Sequence, residues 1–440
     1  MKKSIKYLVL AAVLVGAGLA WFVNRLPPSR FAGEAPTEAD LQRGEYVARL
    51  SDCVACHSTP KGAPFAGGLE MATPMGSIFT TNITPDKHTG IGNYSLADFD
   101  RAVRGGGAAD GHRLYPAMPY PSYAKLDDDD VRALYAFFMN GVEAAAQENK
   151  PSEIPWPLNM RWPLAIWNAV FVPDQPYQEK PGQDPLWNRG AYLVQGAGHC
   201  GSCHTPRSLT MNEKALDESS PAFLSGALLD GWYAPSLRQD PNTGLGRWSE
   251  QEIFDYLKNG RNHHSVVVGS MAEVFNNSTQ YMQDSDLKAI SHYLVSLPGD
   301  PKRDAPPSTF ASNPPPAARM ERGQATFMAK CSSCHGAEGA GQGPWIPPLA
   351  GASSSMAKTS ATSINATLNG SQRVVAQGVP DAYRMPPYRS QLSDEQIADL
   401  LTFIRSSWGN HGGEVSADDV KDLRERTNPA SSNPIILQMR

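Results

Sequence analysis

Cys53-Val54-Ala55-Cys56-His57 returns as Cys200-Gly201-Ser202-Cys203-His204 and again as Cys331-Ser332-Ser333-Cys334-His335, and the three copies use all six cysteines of the 440-residue chain. Two thiols separated by two residues on one helical turn can each add to a vinyl group of one haem. The histidine that follows is then placed to reach the iron, so the spacing is the attachment signature of c-type haem. A redox dithiol, a zinc site or a disulfide framework explains the pairs but not the histidine. With 10 His in 440 residues, a chance His after all three pairs is on the order of a one-in-100,000 event.

Working outward, the chain repeats itself around these turns. Each motif is preceded by a helical approach with a glycine and an aromatic: Gly44 with Tyr46, Gly190 with Tyr192, Gly323 with Phe327. Each is followed, well downstream, by an amphipathic segment, and Leu126–Phe138, Met282–Leu294 and Leu392–Ile404 align without a gap. Asp or Ser at the capping positions and acidic residues in the first turn suit a helix N-terminus. Ile397, Leu400, Leu401 and Ile404 recur at three and four residues and predict one buried face. The first two repeats also share Thr89-Gly90-Ile91-Gly92-Asn93-Tyr94-Ser95 and Thr243-Gly244-Leu245-Gly246-Arg247-Trp248-Ser249. The expected fold is all-α, each repeat running helix, haem turn, long loop with short helices, closing helix.

An electron-carrying iron held by His on one face needs a sixth ligand, and a thioether there raises the potential. A methionine precedes every closing helix: Met118 in Tyr115-Pro116-Ala117-Met118-Pro119, Met271 in Gly269-Ser270-Met271-Ala272, and Met385 in Arg384-Met385-Pro386-Pro387. A single Met is usually core filler, but three at equivalent places are read as ligands. The iron ligands are thus expected to be His57 with Met118, His204 with Met271, and His335 with Met385. His112, His263 and His264 could compete, yet the third repeat has no histidine between His335 and Met385. His/Met is the one arrangement all three can share, which leaves the other histidines as surface or loop residues.

Length and composition agree with this plan. A chain of 440 residues suits about three domains of ordinary size. A net charge of -5 without a basic run excludes nucleic acid as a partner class. The 37 Pro and 38 Gly favour short helices joined by ordered loops. Lys2, Lys3 and Lys6 precede an apolar run from Tyr7 to Val23, which reads as an export signal or membrane anchor. Trp21-Phe22-Val23 prolong the run past a cleavage site at Gly18-Leu19-Ala20, and Trp favours the interface, so the anchor is preferred.

The extended phrases name a family. Tyr46-Val47-Ala48-Arg49-Leu50, Ile83-Thr84-Pro85-Asp86, Tyr115 to Pro121, Arg161-Trp162-Pro163-Leu164, Gly198-His199-Cys200 and Phe403 to Gly409 resemble the triheme cytochrome c subunit of membrane-bound periplasmic dehydrogenases that oxidise alcohols, aldehydes, sugars or sugar acids. The resemblance implies three covalently bound haem c groups in three class I-like cytochrome c domains in tandem. It also implies a large catalytic partner holding a flavin, quinone or molybdenum cofactor, with room for a small third subunit. Electrons would pass to ubiquinone or a terminal oxidase on the periplasmic side of the inner membrane. The expected layout is 1–30 signal or anchor, 36–150 domain one, 151–182 an apolar Trp/Pro-rich connector, 183–298 domain two, 299–316 a Pro-rich linker, 317–410 domain three and 411–440 a tail with a short surface helix. The connector, with three of the nine tryptophans, suits docking to the catalytic subunit or the bilayer, or packing between domains. The linker reads as a semi-rigid exposed spacer that lets domain three move more than domain two. The chain is then an electron relay and not an enzyme by itself. A peroxidase-like haem enzyme is the alternative, and it would need one five-coordinate iron.

Overall fold

The computed structural model describes residues 2–31, 40–229, 231–304 and 315–430. Its elements begin with α1 (Lys2–Asn24), α2 (Asp40–Leu50) and α3 (Cys53–His57), followed by the hairpin β1 (Glu70–Thr73) and β2 (Gly76–Phe79). Helices α4 (Leu96–Gly105), α5 (Asp128–Ala136) and α6 (Pro163–Phe171) come next, then α7 (Pro185–Gln195) and α8 (Gly201–His204). The hairpin β3 (Ala227–Leu229) and β4 (Trp232–Ala234) leads to α9 (Glu250–Asn259), α10 (Ser270–Asn277) and α11 (Asp284–Val295). The chain continues through α12 (Ala317–Lys330), α13 (Ser332–His335), α14 (Ala361–Asn369), the hairpin β5 (Val375–Ala376) and β6 (Val379–Pro380), α15 (Asp394–Ser406) and α16 (Ala417–Arg426). Helices dominate, as the periodicity predicts.

One crossing occurs three times. A Cβ on Gly44 of α2 would lie 2.0 Å from the Ala133 carbonyl oxygen, one on Gly190 of α7 would lie 2.0 Å from that of Ala289, and one on Gly323 of α12 would lie 2.2 Å from that of Asp399. No side chain fits at such distances, so each glycine lets an approach helix rest on the backbone of its closing helix. An arginine precedes each glycine and reaches the same closing helix. Arg43 Nε donates to Asp130 at 2.7 Å, Arg189 makes two bonds of 2.8 Å to Asp286, and Arg322 Nε donates to Asp399 at 2.7 Å. These carboxylates are themselves buried, a setting in which a charge stays only when paired.

The closing helices begin less uniformly than the sequence suggests. Asp127 caps α5 and Ser393 caps α15 with a capping box through Gln396, but the equivalent position before α11 is Gln283, which makes no side-chain cap bond. There the acidic Asp284 and Asp286 of the first turn meet the helix dipole instead. α5 ends in a π turn over Phe137–Gly141, which brings Phe137 and Phe138 edge-on against the buried Phe65. The shared Thr-Gly motif of the first two repeats is a turn feeding a helix start. Ser95 and Ser249 cap α4 and α9, each with a reciprocal capping box.

The chain forms two compact units. One holds residues up to Ala48 with Cys56–Gln178, and the other holds Arg49–Ala55 with Glu179 onward. Within the second unit, repeats two and three share a core of Val267, Ala272 and Phe275 with Val374. Asn276 Nδ2 donates to Arg373 O and its Oδ1 accepts from Val375 N, while Arg261 pairs with Asp381 and stacks over Trp345. This shared core runs against the expectation that the third domain moves more than the second. Residues 305–314 of the linker lie outside the described residues. The tail helix α16 is likewise more than a surface element, since Val420 and Leu423 are buried in the core of the third repeat. Residues 431–440 of the tail lie outside the described residues.

Candidate haem sites

The three Cys-x-x-Cys-His turns carry the same internal wiring. His57 Nδ1 lies 2.8 Å from the Thr81 carbonyl oxygen, His204 Nδ1 2.7 Å from that of Pro235, and His335 Nδ1 3.1 Å from that of Pro347. A carbonyl only accepts, so Nδ1 carries the proton in each ring and Nε2 keeps its lone pair, the tautomer a metal-ligating imidazole needs. Burial holds all three imidazoles below their ordinary range, which favours the neutral form. Each histidine's own carbonyl is also used: it accepts from Gly67, Gly226 and Gly341 N at 2.7, 2.8 and 2.8 Å. The loop after the turn is thereby folded back onto it.

None of the six cysteines is in a disulfide, which suits thioether formation. Burial pushes the Cys200 thiol up to about 12 and that of Cys331 up to about 11. A redox dithiol instead depends on a thiol whose acidity is increased. The turns therefore carry thiols beside a neutral histidine, which fits covalent haem c and not disulfide exchange. When bound, haem supplies one-electron chemistry that no side chain offers.

The methionines sit in three different settings. Met118 is half-buried in a tight loop, where Tyr120 N donates to its carbonyl at 2.8 Å. Met385 is clamped by main chain and side chain: its N donates to Ser371 Oγ at 3.0 Å and its carbonyl accepts from Ser371 N at 3.1 Å. A Cβ at Gly370 would lie 2.5 Å from that carbonyl. Met271 lies in the first turn of α10 and packs on the core shared by repeats two and three. Gly269, which opens that helix at φ 58°, is pressed against the Trp232 ring.

The competing histidines have other engagements. His112 Nδ1 lies 2.5 Å from Asp110 on the surface. His264 stacks on Trp248 with ring centres 5.3 Å apart and lies 3.1 Å from Glu252, while His263 is exposed. What sequence reading missed are the carbonyls of Thr81, Pro235 and Pro347 and the pairing arginines. A backbone acceptor has no residue signature, so the first set was invisible. The Arg-Gly pairs at 43–44, 189–190 and 322–323 were a readable signal.

Comparison with known proteins agrees with these features. The cytochrome c family model matches residues 320–408. The chain is 47% identical to the gluconate 2-dehydrogenase cytochrome c subunit of Pantoea cypripedii, over 92% of this chain and 94% of that protein. It belongs to the cytochrome c subunits of membrane-bound dehydrogenases. It is similar, too, to the cytochrome c subunit of the quinone alcohol dehydrogenase of Gluconacetobacter polyoxogenes, at 48% identity over 89% of this chain and 86% of that one. The fructose dehydrogenase cytochrome subunit of Gluconobacter japonicus is 34% identical over 94% and 88%. This cytochrome subunit is thus an electron carrier of a dehydrogenase complex and not its catalytic chain.

Proposed function

We propose that the chain is a relay of three covalently bound haem c groups in three tandem class I-like cytochrome c domains, with Cys53/Cys56, Cys200/Cys203 and Cys331/Cys334 as the attachment points. The iron ligands are His57 with Met118, His204 with Met271, and His335 with Met385. The observation that carries this reading is the threefold bond from a motif histidine's Nδ1 to a backbone carbonyl, which presents Nε2 in the same state at each turn. The partner is a large dehydrogenase subunit, and by likeness to the relatives its substrate is an alcohol, a sugar or gluconate. Its cofactor takes two electrons, a task that single six-coordinate haems do not perform. Ubiquinone in the inner membrane is the acceptor, and α1 holds the chain on the periplasmic side.

Changing both Cys331 and Cys334 to Ala should leave two haems per chain by pyridine haemochrome assay, and retention of three would refute the assignment of the third site. The near-infrared sulfur-to-iron band of oxidised protein should weaken in steps with Met118→Leu, Met271→Leu and Met385→Leu. Without its partner the chain should oxidise none of these substrates, and turnover at the rate of the complex would overturn the relay reading.

A further inference from the structure

The connector between repeats one and two has an inner and an outer side. Its inner side packs on the first repeat: Asn168 accepts from Tyr120 Oη at 2.9 Å and donates to the Gly105 carbonyl at 2.8 Å, and Trp167 meets Tyr120 edge-on. Its outer side carries Trp156 and Val170, 78% and 66% exposed, together with Leu158, Trp162 and Ile166, also exposed. Five large exposed apolar side chains along one 15-residue stretch, three of them (Trp162 at the N-cap of α6, then Ile166 and Val170) spaced four apart, are more than a soluble surface ordinarily leaves bare.

Helix α1 indicates what covers it. Its Ile5–Asn24 stretch has a mean hydropathy of 2.0 and no part of it is buried. At 1.5 Å per residue this is about 30 Å, the thickness of a hydrocarbon core. α1 packs against α6, and the two are fixed by one residue. The buried Arg113 side chain donates to the Arg25 carbonyl at the end of α1, while the Arg113 carbonyl accepts from Arg161 at the start of the connector, at 2.7 Å. The exit from α1 is further docked on the first repeat. Ser29 Oγ and Arg30 N donate to Asp100 at 2.7 and 2.9 Å, and Phe31 is buried under Arg104 and Arg132. A spanning helix held this rigidly brings its neighbouring surface to the same membrane.

We infer that residues 156–170 form a second membrane contact, a monotopic seat that lies in the lipid interface beside α1. Tryptophans favour that zone because the ring is apolar and its N–H polar, and an interfacial helix sinks about 5–10 Å into it. The seat would hold the Met118 loop, through Tyr120 and Asn168, against the bilayer side of the molecule. The inference rests on α1 being an anchor, and its test separates the two.

The test is photocrosslinking of the full chain in membranes containing the complete dehydrogenase complex and an alkyne-tagged phosphatidylethanolamine. Leu158→benzoylphenylalanine and Val170→benzoylphenylalanine, made singly, replace exposed side chains and leave the packing intact. Both should give lipid adducts several-fold above Leu209→benzoylphenylalanine, an exposed position in the other unit. Val13→benzoylphenylalanine reports the anchor independently. Lipid adducts at Val13 with none at 158 and 170 would overturn the seat and keep the anchor. A polypeptide adduct at 158 and 170 in place of lipid would make this face a subunit interface and overturn it as well.

Discussion

The two junctions between repeats are built oppositely. The first, rich in Trp and Pro, sends Ile154, Trp167 and Asn168 inward and leaves Trp156, Leu158 and Val170 exposed. The second, rich in Pro and Ser, reads as a spacer, yet the repeats on either side of it share a core and a largely buried ion pair. The difference teaches that stickiness near a junction does not decide whether neighbouring repeats adhere. Adhesion is decided by surfaces far away in the chain: Arg261 and Asp381 are 120 residues apart, and Asn276 and Val375 are 99.

The comparison breaks most readily at Arg261. Its side chain and that of Asp381 are 10% and 15% exposed, so Arg261→Ala leaves a carboxylate with little water and no partner. Removing one member of a buried pair costs about 3–5 kcal/mol. The denaturant midpoint of the second unit should fall accordingly, and an unchanged midpoint would mean that repeats two and three are not energetically joined. Asn276→Ala should come next. It strands the Val375 N–H and the Arg373 carbonyl, each costing about 1–3 kcal/mol when buried without a partner, and amide exchange at Val375 should accelerate.

Glu273 sharpens the same interface with the opposite sign. Burial raises its carboxyl above the ordinary range, and Gln372 Nε2 donates to it at 3.1 Å. A raised acid is protonated more readily in the folded chain than in the unfolded one. Stability is therefore lost as pH rises from about 4.3, the unfolded value, through the folded value. Glu273→Gln removes that loss, so the variant should be more stable than the parent at pH 7 and the gap should close as pH falls toward 4. A gap that persists in acid would assign the gain to packing. At the first junction, Trp156→Ser and Leu158→Ser should shift the midpoint in detergent by no more than about 0.5 kcal/mol, the ordinary range for surface changes. A larger loss would place those side chains inside the fold.

By itself the sequence determined whatever depends on spacing along one segment. The three Cys-x-x-Cys-His turns, the glycines of the approach helices and the buried stripe Ile397, Leu400, Leu401 and Ile404 were legible because neighbours on one helical turn are set by covalent geometry. The glycines were legible as repeats but not as crossings, since the carbonyl each one meets lies about 80 to 100 residues away on another helix. Only the tertiary structure decided which carbonyl holds each imidazole, because any residue can supply that acceptor and the three found lie 24, 31 and 12 residues downstream. It also decided that the repeats flanking the Pro-rich junction share a core, while five large apolar side chains of the aromatic one stay exposed. Burial belongs to pairs of surfaces, and composition at one of them says nothing about whether its mate exists.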